Sequence, residues 1–157
     1  MSPKATTQVG TILAFDPGET TGWVCLRNGK VAGGSFPLWS EVERLITKAD
    51  PSVVVVEDFL LYPQALKHLK WNRVLTVRVI GVIEFLCQKN NIPCKFQLPK
   101  ERIAIEAKQI RGFDIHATQA LRHALLYASN AGDPTYDSFQ TRKRAKNNYR
   151  RDDGLEP

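Results

Sequence analysis

The chain has 157 residues, enough for one domain with a single buried core. At 43% hydrophobic and 24% charged it has the composition of a folded globular protein, which excludes a low-complexity or disordered chain. A formal net charge of +6 favours a polyanionic partner, because a basic surface concentrates phosphate groups around itself.

In chain order, residues 1 to 8 are polar and read as a frayed end. "GTILAF" reads as a buried strand that stops at Asp16. "TGWVCL", Asn28-Gly29 and "KVAGGSF" read as a hairpin, since Asn-Gly is the strongest two-residue turn signal. "LWSEVERLITKA" carries helical spacing in Leu38, Val42, Leu45 and Ile46, and Asp50-Pro51 ends it. "SVVVV" is too apolar for a half-exposed strand and belongs mid-sheet, covered on both faces, ending at Glu57. A helix is expected from roughly Gln64 to Lys89, then a strand "IPCKFQ", then a short helix "PKERIAIEAKQI" started by Pro99. The last helix begins near His116 with Asp114 as cap and ends around Asn130-Ala131-Gly132.

Three strands in tight succession predict antiparallel pairing, and the later strands, alternating with helices, should lie parallel to the first. The expected fold class is α/β, a mixed five-stranded sheet with helices on both faces. Residues 1–132 form the expected domain. Residues 133–157 read as a basic, flexible tail, because "TRKRAKNNYRR" holds six basic residues and no acidic one. Cys25, Cys87 and Cys94 are odd in number without CxxC spacing, which speaks against a disulfide framework or zinc site and for a reducing cytosol. Neither a secretory leader nor a membrane span is legible, and the apolar segment Val74 to Cys87 is broken by Arg78 and Glu84.

Asp16 and Glu57 each follow a hydrophobic strand, and chemistry in open α/β sheets gathers beyond the carboxyl ends of parallel strands. If those two strands are neighbours, both carboxylates enter one crevice, where a hard divalent cation such as Mg2+ would relieve their repulsion. Asp16-Pro17-Gly18 is equally readable as an ordinary turn, and alternation does not decide between Glu57 and Asp58 as the inward acid. His116 and Gln119 share a face of the last helix, and His123 and Tyr127 continue roughly along it. A lone histidine on a helix is weak evidence, so His116 gains weight only beside the two acids.

"ILAFDPGETTGW", "VVVVEDFLLY", "IPCKFQLPKE" and "HATQALRHALLY" occur in the order found in RuvC-type Holliday junction resolvases, and the chain resembles that family, particularly its phage-borne members, from about residue 11 to 128. The resemblance implies a ribonuclease-H-like fold. It implies metal-binding catalytic carboxylates at Asp16 and Glu57, with His116 in the third position. The metal would be Mg2+, with Mn2+ as substitute and two ions per site, acting in a bacterial or phage-infected cell. The substrate it implies is a four-way DNA junction, nicked in pairs by a two-fold homodimer. The family pattern next expects an aspartate where Gln119 stands. An amide there removes a unit of charge from a two-metal site, so poor cleavage with retained DNA binding is expected, whether the glutamine is native or introduced.

For DNA, the basic residues Lys67, Lys70, Arg73 and Arg78, Lys100, and the tail's Arg142, Lys143 and Arg144 fit backbone neutralisation. Phe59 and Tyr62, just past Glu57, could stack on a base at an opened junction. The plainer readings are a solvated helix face, a solubilising tail and ordinary aromatic packing. Two rival functions remain: a related nuclease for other branched DNA or for RNA, and a non-catalytic junction-binding protein. A sugar-kinase-like ATPase, suggested by "DPGETTG", would need a second such domain.

Overall fold

A computed structural model describes residues 8–60 and 70–143. Strand β1 (Ile12–Asp16) runs antiparallel to β2 (Thr20–Arg27), which turns into β3 (Lys30–Pro37). Asn28 and Gly29 both take positive φ, 48° and 73°, as a two-residue hairpin turn requires. Helix α1 (Val42–Ala49) leads to β4 (Val53–Glu57), which pairs parallel with β1. Helix α2 (Trp71–Lys89) leads to β5 (Cys94–Gln97), parallel to β4. The sheet order β3-β2-β1-β4-β5 is the mixed five-stranded α/β arrangement that the element order predicts.

Alternation along β1 and β4 feeds two cores. Ile12, Ala14, Val53 and Val55 face α3 (Ile115–Asn130) together with Val24 and Leu26. Leu13, Phe15, Val54 and Val56 point the other way, into the layer of α1 and α2. Every valine of "VVVV" is therefore buried, which is why the run contains no polar position. Asp114 caps α3, its carboxylate accepting the Ala117 amide at 2.8 Å.

After β5, two expectations need correction. "PKERIAIEAKQI" is a 3-10 helix, Glu101–Ala104, followed by strand β6 (Ile105–Ala107). The β-branched Ile105 is fully buried against α3, and that burial decides the segment's conformation. Nor does the fold stop at residue 132. A 3-10 helix, Pro134–Phe139, leads into β7 (Gln140–Lys143), which pairs antiparallel with β6. Tyr136 sits in the α3 core at 1% exposure, and the buried Asp133 carboxylate accepts the amides of Val9 (2.8 Å) and Thr135 (2.9 Å). The remainder of the expected tail, 144–157, and the first part of the expected long helix, 64–69, lie outside the described residues. Among the described residues no helix is long and apolar enough to cross a membrane.

Candidate active site

Because β1 and β4 are parallel neighbours, their carboxyl ends open on the same edge of the sheet. Asp16 ends the first and Glu57 the second, with side chains only 13% and 15% exposed. Helix α3 packs across β1, β2 and β4 and brings two histidines to this edge. His116 Nδ1 lies 3.3 Å from Asp16 Oδ2, and His123 Nε2 lies 2.7 Å from Glu57 Oε2. Seven residues, two helical turns, separate them, so one face of one helix serves both carboxylates.

Gly22 makes this approach possible. It pairs across the sheet with Asp16, and a Cβ on it would stand 2.1 Å from the backbone carbon and oxygen of His116. The obstacle is backbone, which no rotamer change relieves. Gly22→Ala should therefore lift the first turn of α3 from the sheet and destabilise the protein by about 2–3 kcal/mol, read as a fall in urea midpoint. An unchanged midpoint would mean that the helix shifts freely and that its seat on β2 is not defined.

Glu57 has further support. The fully buried His123 ring spans from Glu57 to Gln97 Oε1, 2.7 Å from its Nδ1, so the end of β5 fixes the imidazole's orientation. From the 3-10 helix, Arg102 Nη1 makes a direct ion pair with the same Glu57 oxygen, Oε2. Burial works to raise the Glu57 carboxyl, but hydrogen bonds from His123 and Arg102 outweigh it and hold the group below its ordinary value. Asp16 fares differently. Burial first, then the charge of Glu57, push it from 3.8 up to about 6, against smaller opposing pulls from His116 and Arg102. One carboxylate is compensated and the other is left strained.

Gln119 lies half-buried on the same helix between the two histidines. Its Oε1 accepts a long bond, 3.4 Å, from Arg122, whose Nε donates to the Ile105 carbonyl at 3.0 Å. Asp58 serves its own loop, Oδ1 accepting the Phe59 amide at 2.8 Å, while Glu57 faces Asp16.

A cavity of about 360 Å³ runs beside Asp16, lined by the Pro17–Thr20 turn, His116, and Asn72, Arg73 and Thr76 of α2. Of the residues expected to bind DNA, Lys70, Arg73, Arg78 and Lys100 are exposed. The Arg73 guanidinium stands 5.9 Å above the Phe59 ring, and Phe59 itself packs half-buried against the α1/α2 core. Arg78 lies over Trp39 at 5.3 Å. Arg142 and Lys143 fall on β7, whereas Tyr62, Lys67 and Arg144 lie outside the described residues. Arg102 and Gln97 are site residues that the sequence reading missed, and His123 was placed on the face without a role. The i, i+7 spacing of the histidines was a usable signal; nothing local marks Arg102.

The chain superposes on RuvC of Thermus thermophilus in complex with a Holliday junction substrate with a TM-score of 0.61, covering 78% of this chain and 96% of that one at 14% identity. The chain has a RuvC-like fold. A second Thermus thermophilus RuvC structure gives a TM-score of 0.54 at 17% identity, with 78% and 97% covered. No family model and no curated protein matches the sequence. The RuvC-like, ribonuclease-H-like fold thus rests on three-dimensional arrangement, which accommodates the five-stranded sheet and the helices on both its faces.

Proposed function

We propose that this RuvC-like protein is a metal-dependent, structure-selective endonuclease for four-way DNA junctions, attenuated by Gln119. The observation that carries this is the pair Asp16 and Glu57, buried together at the ends of adjacent parallel strands. Asp16, pushed upward by burial and by the charge of Glu57, is poorly stabilised there without a further cation.

The donor set fits a hard divalent ion. Asp16 and Glu57 would hold it, with the half-exposed His116 beside them, and hard carboxylate oxygens suit Mg2+ or Mn2+. Among the described residues no three His, Cys, Asp or Glu side chains close into a cage. Mg2+ tolerates that, since it keeps several waters and binds through one or two carboxylates. With Arg102 on Glu57 and an amide at position 119, the donors suit one ion rather than the two that the resemblance implies. When bound, the ion would activate water and offset charge on the phosphate. The chain's own contribution is orientation. Gln97 and His123 fix Glu57, Gly22 seats His116 on Asp16, and His116 stands where a proton can pass to a leaving oxygen.

DNA would lie over the basic side of this edge, with Arg73 on the cavity wall and Lys100 beside the 3-10 helix of Arg102. Paired nicks need two copies of the chain related by a two-fold axis. Helix α2 offers an exposed face with Trp71 at 69% and Phe85 at 62%, two turns apart in each direction from Arg78, suited to such pairing.

The test is nicking of an end-labelled immobile junction in Mg2+ and in Mn2+, alongside a binding gel without metal. Slow paired nicks in Mn2+ support the reading. Tight binding with no cleavage in either metal, even for Gln119→Asp, makes the protein a junction-binding module. Cleavage of forks or flaps in preference to junctions moves it to another branched substrate.

A further inference from the structure

We propose that Arg102 is a phosphate-binding side chain parked on Glu57, leaving it for a DNA phosphate when the metal takes its place. This rests on the nuclease reading above and adds an order of events: substrate first, ion second.

Glu57 Oε2 holds two donors at once, His123 and Arg102. The two differ in how they are anchored. His123 is fully buried and tied to Gln97, so it stays. Arg102 stands on a single 3-10 turn, Glu101–Ala104, none of whose residues is buried, and its own side chain is 24% exposed. The turn itself packs against α3, so it is the side chain that swings, exchanging its ion pair with Glu57 for a partner outside. Its neighbours Lys100 and Ile103 are exposed, so the turn already faces solvent on the basic side of the edge.

The charges favour an exchange. Asp16 and Glu57 bring two negative charges, Arg102 returns one, and Gln119 supplies none. A divalent ion arriving at the DNA-free protein therefore meets half the charge it would meet with Arg102 gone. A backbone phosphate offers the guanidinium a two-point partner in exchange for the Nη1–Oε2 contact it makes with Glu57, because the planar fork matches phosphate as well as carboxylate. Moving Arg102 onto DNA thus frees Glu57 for the ion and adds a contact to the substrate.

The experiment is Mn2+ binding to the full chain, followed by electron paramagnetic resonance of the free ion. It is run with and without a saturating four-way junction, with ion bound by the junction alone subtracted. Arg102→Gln should bind Mn2+ about tenfold or more tightly than the unaltered chain in the absence of DNA. Arg102→Lys, which keeps the charge, should not. The junction should tighten Mn2+ binding by the unaltered chain by a similar factor and change Arg102→Gln much less. Equal DNA-free affinities in the unaltered chain and a folded Arg102→Gln overturn the proposal and leave the nuclease reading standing. If Arg102→Gln does not fold, the unaltered chain decides alone, and no gain on adding the junction overturns it. No Mn2+ binding by any chain, with the junction still bound, removes the nuclease reading and this proposal with it.

Discussion

Gln119→Asp is expected to raise Mg2+-dependent nicking of a four-way junction by at least about a hundredfold. Position 119 lies on α3 between His116 and His123, the residues that meet Asp16 and Glu57, so a carboxylate there adds its charge to the same site. At roughly 6 Å and an effective dielectric of about 20, one negative charge is worth several kcal/mol to a divalent ion. Each 1.4 kcal/mol is about tenfold in affinity, so even a heavily screened gain reaches a hundredfold at ion concentrations below saturation. The glutamine contributes no such charge, and its oxygen accepts a bond from Arg122. Single-turnover nicking across a Mg2+ titration checks this. If the aspartate variant is no faster at any ion concentration, position 119 is outside the reacting zone and the family pattern does not carry over to it.

The same experiment separates charge from shape. Gln119→Asn shortens the side chain without restoring charge, and it should stay as slow as the unaltered chain. Should both variants gain equally, side-chain length is the limiting factor and the electrostatic account fails.

Much of this site was legible in the sequence because local chemistry fixed it. The unbroken valines of β4 demanded two-sided burial, Asn28-Gly29 set the hairpin, and Asp114 capped the helix that delivers His116. Asp16 and Glu57 stand at strand ends that the sequence marks, but the parallel pairing of β1 and β4 is what puts them on one edge, and the loop bond of Asp58 is what separates it from Glu57. What stayed hidden depends on tertiary partners. β6 is three residues long, and both things that make it a strand, the burial of Ile105 against α3 and pairing with β7 some thirty-five residues later, are tertiary. Tyr136 and Phe139 are two aromatics in a polar stretch, and only their packing on the α3 core shows that this part of the supposed tail is structure. Arg102 sits in a segment that reads as a short charged helix, so its pairing with Glu57 is invisible until the fold closes.

Asp16→Asn should abolish nicking and at the same time make the metal-free protein more stable at pH 8, by up to about 3 kcal/mol. The cause is the strained carboxylate. Its folded value is about 6 against an ordinary 3.8, so between those values the folded state holds a proton that the unfolded chain has released. Stability from this group is therefore complete below about pH 3.8 and is lost as pH rises through 6. Roughly two units at 1.36 kcal/mol each give the figure. Asparagine keeps the shape without the charge, so the gain should appear above pH 6 and vanish near pH 4. Glu57 works in the opposite window. Its lowered value contributes stability above the ordinary 4.5 that is lost only as the solution becomes more acidic. Urea midpoints of both proteins at pH 4 and pH 8 separate the two effects. Saturating Mg2+ should then stabilise the unaltered chain far more than the variant, because an ion that binds only the folded state adds stability in proportion to the logarithm of its concentration over Kd. A variant less stable than the unaltered chain at pH 8 would show that the Asp16 charge is already satisfied by His116. The site would then have no unmet need for a cation, and the case for a metal-dependent nuclease would lose its electrostatic basis.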